Sequence, residues 1–183
     1  MTNFTLIQRL RNKIKLKNLV SLEIAKSAKI VGCRFYVKGN NNKIHIGNGT
    51  VLRNVVIEIM GDNCQLFIGE SCMIGDKCYI SIKESTILTI ENDCGLSRNV
   101  KIMTSDGHPI FKEQKRINIS KDISIGKHVW IADNATILKG VHIGNGSVIG
   151  MNATVTKDVP SNAVAVGNPA KIVNENIRWE DKI

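Results

Sequence analysis

"ISKDISIGKHVWIADNATILKGVHIGNGSVIGMNATVTKDVP", residues 119–160, carries a large aliphatic residue at every sixth position. Ile119, Ile125, Ile131, Ile137, Ile143, Ile149 and Val155 keep that beat without a break. Four places after each stands a second mostly apolar or small residue: Ile123, Val129, Ala135, Val141, Ser147, Ala153 and Val159. From Ile125 onward the next residue along is mostly small: Gly126, Ala132, Leu138, Gly144, Gly150 and Thr156. Such a period fits neither an amphipathic helix nor a single half-buried strand. It suits a short strand and a bend, repeated, with aliphatics inside and Gly or Asn serving the bends.

The beat extends upstream less strictly. Ile68, Ile74 and Ile80 are in register, the phase slips, and Ile90, Leu96 and Ile102 resume it; Ile46 and Leu52 form a further pair. Cys72, Cys78 and Cys94 fall four places after Ile68, Ile74 and Ile90, which marks them as small interior fillers. No C-x-x-C pair occurs, so neither a zinc ribbon nor a redox motif is indicated. Between Ile102 and Ile119 the pattern stops, and the gap opens with "MTSDGHPI", residues 103–110.

The repeat, together with "VTKDVP" (155–160) and "GNPAK" (167–171), resembles the hexapeptide-repeat acyltransferases. The O-acetyltransferases of bacterial surface polysaccharides resemble it most. The resemblance implies an all-β fold, a left-handed parallel β-helix in which three hexads make one triangular coil. It implies a protruding catalytic loop, here 103–118, in which His108 takes the catalytic position and acts as general base on a sugar hydroxyl. Asp106 is the candidate to orient that imidazole, or else to stabilise the turn. Trp130, in "VWI", is implied to line the acceptor cleft. Backbone groups at Ala132, Gly150 and Met151 are implied to hold the pantetheine arm of acetyl-CoA, with Thr156, Lys157 and Lys171 near its phosphates. "WIAD" and "GMN" depart from the family's usual "WIG" and "GAG". The same resemblance implies a homotrimer with the site between subunits.

The chain has 183 residues, enough for one domain, and a formal charge of +9. Seven basic residues in 1–29, including Arg9, Arg11, Lys13, Lys15 and Lys17, face Glu23 alone. This segment reads as a cap or arm, with Phe4, Ile7, Leu10 and Ile14 on one face of a short helix. Its charge also suits weak contact with an anionic membrane surface or an anionic glycan. The expected organisation is therefore a basic cap over 1–29, a β-helix over 30–173 and a tail over 174–183. That tail, with Trp179, is expected to cover the far end or a neighbouring subunit. No apolar run is long enough to span a membrane and no secretory h-region is visible, so a cytoplasmic location is expected.

His45, His128 and His142 read as surface or packing residues, without a three-histidine metal pattern; no metal is expected. Nucleic-acid binding lacks interleaved aromatics or a known module. The remaining alternatives are transfer to an antibiotic or other small hydroxyl acceptor, and a non-catalytic β-helix scaffold. A scaffold needs neither the 103–118 excursion nor the lysine-bearing C-terminal motifs.

Overall fold

In the computed structural model, residues 4–180 are described, and they form a three-sided parallel β-helix. Face A runs from Lys13–Leu16 to Thr154–Val155 in seven parallel strands. Face B has six, from Val20–Ile24 to His142–Ile143. Face C runs from Lys29–Val31 to Val164–Gly167, and Ala170–Asn174 folds back antiparallel on its last strand. Residues of the sixfold beat stack in columns inside: Ile46, Ile68, Ile90, Ile125 and Ile143 on face B, and Leu52, Ile74, Leu96, Ile131 and Ile149 on face C. All are essentially buried. Stacking identical branched side chains at strand spacing fills the narrow interior without large aromatics. All five cysteines are free and buried, Cys72, Cys78 and Cys94 at the inward positions expected of them.

What looked like a phase slip upstream is a longer period. Asn48 reaches Glu70, and Glu70 reaches Asn92, each 22 residues on. After the loop, Lys127 meets Asn145 only 18 residues on. The extra residues lie at the corner between faces A and B, where Gly39 (φ +117) turns so close to the next coil that a Cβ would sit 2.0 Å from the Gly61 carbonyl oxygen.

Three expectations need correction. Ile119 does not point inward; it is 55% exposed, and burial resumes at Ile123. Asn118 and Ser120 take the inward positions instead, because alternate residues of this extended stretch face opposite ways. The boundary at residue 30 falls inside the β-helix, since Ile14 pairs with Phe35 and Leu22 with Ile44. Finally, the helix Leu6–Arg11 is not packed through Ile7 and Leu10, and Leu10 is 79% exposed. Phe4, just before it, packs edge-on against Phe35 at 5.0 Å, and Ile14 lies in the first strand. The helix turns Gln8 inward, whose Nε2 donates to the Ala28 carbonyl, and Asn12 donates to the Ile30 carbonyl. The first coil has no preceding coil to pair with, so its backbone groups need polar partners more than methyl groups.

Candidate functional site

The loop from Thr104 to Ser120 leaves the coil at the corner between faces A and B. Two short antiparallel strands, Phe111–Lys112 and Lys115–Arg116, form its tip. Its base is clipped by Asn118. The buried Asn118 amide donates through Nδ2 to the His108 carbonyl (2.8 Å) and to Asp106 Oδ2 (3.0 Å). Its Oδ1 accepts the Ile110 N–H at 2.6 Å. One side chain thus fixes the backbone on both sides of Pro109. His108 itself is exposed, and among the described residues no hydrogen bond to its ring is present.

Among the described residues Asp106 makes no hydrogen bond to the His108 imidazole. Its carboxylate is taken by the Lys139 ammonium at 2.5 Å and by Asn118. Lys139 above all, and Asn118 after it, hold the Asp106 carboxyl below its ordinary value against some desolvation. A second anchor joins Arg116 to both carboxylate oxygens of Glu84 at 2.9 Å, with Ser120 Oγ donating to the same group at 2.6 Å. Ser120, then Arg116, lower the Glu84 pKa. The loop is therefore tied to the coils below and above it, with His108 projecting.

A groove of about 720 Å³ lies on face C. Trp130, Ala132 and Met151 line it, together with Arg53 and Arg98. Along the outward ladder the neighbours of Gly95 are Met73 and Trp130. Gly95 contributes no side chain, and this missing rung opens the slot beside the indole. Trp130 is 41% exposed and donates through Nε1 to Ser97 Oγ at 3.2 Å. Gly150 sits at the groove's upper end, where a Cβ would lie 2.6 Å from Val166 Cγ1. Thr156, Lys157 and Lys171 line a separate cavity of about 320 Å³ at the last coil. Two lysines beside such a cavity suit phosphate groups. His108, at the corner opposite face C, lines neither space. Among the described residues no group of three His, Cys, Asp or Glu side chains comes together as a metal site.

Three features escaped the sequence reading. Asn118 hides as one polar residue among several in the loop. Lys139 is meaningful only through Asp106, 33 residues away. Trp179, in the tail expected to cover the far end or a neighbour, stacks on His128 at 4.1 Å beside the Trp130 groove; the rarity of tryptophan was the one available signal.

Residues 122–157 match the bacterial transferase hexapeptide (six repeats) model. The chain is 34% identical over 170 residues to a polysialic acid O-acetyltransferase of Neisseria meningitidis, covering 80% of this chain and 79% of that one. It is 41% identical over 160 residues to a polysialic acid O-acetyltransferase of Escherichia coli O1:K1, covering 86% of this chain but only 44% of that longer protein. The crystal structure of the polySia-specific acetyltransferase NeuO superposes with a TM-score of 0.76 at 33% identity, over 94% of this chain and 83% of that one. That of the polysialic acid O-acetyltransferase OatWY gives 0.74 at 30% identity, over 94% and 92%. A galactoside acetyltransferase in complex with coenzyme A gives 0.53 at 29% identity, over 73% of each chain. The common architecture is the left-handed β-helix, and the chain belongs to the bacterial hexapeptide transferase family.

Proposed function

We propose that this protein transfers the acetyl group of acetyl-CoA to a hydroxyl of an acidic bacterial surface polysaccharide, in the cytoplasm. His108 is the general base. It takes the proton of the acceptor hydroxyl as that oxygen attacks the thioester carbonyl carbon. It returns the proton to sulfur as the carbon–sulfur bond breaks. The observation that carries this reading is the loop itself: an exposed histidine whose backbone is clamped by Asn118, on a structure otherwise made of tight corners. A clamp with a free ring is what a proton carrier needs and what a scaffold does not.

Thr156, Lys157 and Lys171 hold the phosphate end of the donor, and the Ala132–Met151 corner its pantetheine arm. The acidic character of the acceptor is supported by the net charge of +9, by Arg53 on the groove, and by relatives named for polysialic acid. Because His108 and the Trp130 groove lie on different sides of one coil, the active unit is a homotrimer in which one subunit's loop meets a neighbour's groove.

The test is thiol release from acetyl-CoA with sialic acid polymers as acceptor. His108→Ala should lose transfer by at least about 10²-fold, the scale of a missing general base, with its circular dichroism and CoA affinity retained. Near-normal turnover rejects the assignment. Sedimentation of the active protein as a 20.2 kDa monomer rejects the shared site.

A further inference from the structure

We infer that Trp179, from the C-terminal tail, is the second wall of a saccharide subsite on face C, acting with Trp130 on the acceptor rather than only tying down the tail. This inference rests on the proposed reading of the groove as the acceptor site.

The tail leaves the last strand, Ala170–Asn174, and is tied at two points, the Ile177 N–H donating to the Asn162 carbonyl at 2.9 Å and Trp179 docking on His128. The Trp179 indole lies flat on the His128 imidazole, 4.1 Å between centroids and 5° between planes. Its Nε1 donates to the His128 carbonyl at 2.9 Å, and its own carbonyl meets His128 Nε2 at 3.1 Å. His128 can receive it because the residue sits at a corner with φ 53, which turns the ring out of the coil. Two residues further on, Trp130 begins the strand on face C, and the two indoles stand 6.1 Å apart at 43°.

These two rings are all the tryptophan in the protein. Neither is in the hydrophobic core: Trp130 is 41% exposed and Trp179 half-buried. Both ring nitrogens are already satisfied by protein oxygens, and one face of Trp179 lies on His128, so what remains is its opposite apolar face and the exposed part of Trp130. A pyranose ring offers matching patches of C–H groups, while its hydroxyls and any carboxylate need polar partners. Arg53, which makes no ion pair among the described residues, lines the same groove. The fixed tilt between the rings, held before any ligand arrives, removes the ordering cost that a mobile aromatic would incur. The site thus fits a bent run of acidic sugar units passing over the missing rung at Gly95.

With Trp130 lining the groove and Trp179 standing 6.1 Å from it, emission makes the test direct. Emission of the wild-type protein, titrated with sialic acid oligomers in the absence of CoA, should change and saturate. In W130F, where Trp179 alone emits, it should still change. Neutral malto-oligosaccharides are the control for charge. In transfer assays W179A should raise the KM for the oligomer about three- to ten-fold, the scale of one lost aromatic stack, leaving the KM for acetyl-CoA and the kcat at saturating acceptor in place. W179F, which keeps the stacking face but loses the indole donor, should fall between. A tail that is merely structural would lower the melting temperature and kcat together without a selective KM effect, and that outcome overturns the inference. So does emission that ignores the oligomer, or a W179A effect confined to acetyl-CoA. If saccharide alters Trp179 emission yet no acetyl transfer occurs, the subsite stands and the proposed reaction falls.

Discussion

The coils below the loop and the coils above it are built to different gauges. Below, each turn advances 22 residues; above, 18. The added length widens the corner between faces A and B. Lower coils turn two residues inward on each flank, such as Phe35 with Val37 and Ile44 with Ile46. In the upper coils Ile137 alone is buried on its strand. The wide corner must also accommodate buried polar groups. Asn42 accepts the Cys64 N–H, and Thr86 donates to Lys83 and meets Thr104. Among the described residues the Asn42 amide nitrogen is left without a partner, a cost the narrow coils avoid. The His108 loop rises from this same corner at the turn where the gauge changes, a step of 35 residues. The excursion is thus an overgrown corner of the wide gauge, and the surrounding columns stay in register through it.

Restoring the wide gauge at that turn gives the largest expected effect. Deleting 106–118 brings the step back to that of the lower coils. Circular dichroism should remain that of a β-helix while acetyl transfer disappears. Loss of the fold would instead mean that the loop holds the two gauges together.

Next in size are core truncations, one on each side of the change. Ile57→Ala and Ile137→Ala each remove a fully buried side chain and should cost about 2–5 kcal/mol in denaturant unfolding. Ile137, with no second inward residue on its strand, should sit at the upper end. Equal costs would say the gauges pack alike.

Gly95→Leu probes the upper side alone. A Cβ there meets only Trp130 Cδ1, at 4.0 Å, so the fold tolerates it while the slot fills. The acceptor KM should rise roughly ten-fold with little change in melting temperature.

The smallest effect concerns acid. Asp106 and Glu84 have carboxyl pKa values held below the ordinary range by Lys139 and by Ser120 with Arg116. A carboxyl depressed on folding stabilises above its unfolded pKa and loses that contribution as pH falls through the folded one. The loop should therefore loosen below about pH 4, seen as faster proteolysis in 104–120 while the sheet signal persists. Loosening that begins near neutrality would deny these anchors their role.

Much of this was legible from residues 119–160, and some was not. The sixfold beat placed Ile125, Ile131 and Ile137 inside, and upstream the cysteines four places after it, because each hexad turns its large aliphatic and its small residue inward. Upstream the same beat placed Ile68, Ile74, Ile80, Ile90, Leu96 and Ile102 inside; what read there as a slip of phase is a longer corner that leaves the columns undisturbed. Ile119 fitted the beat by number and failed by orientation. Asp106 had two readings, turn residue or partner for the imidazole, and its carboxylate meets Lys139 and Asn118, a pairing hidden from the sequence because Lys139 comes from a different coil.

By itself the sequence determined the repeat, the interruption and the candidate histidine. These are properties of spacing along the chain, and spacing is what sequence records. Tertiary structure alone decided the gauge change, the Asn118 clip and the meeting of Trp179 with Trp130. Each joins residues brought together by the stacking of coils. In a solenoid that stacking is set by how the corners close, a balance of backbone hydrogen bonds and interior volume that no single hexad contains.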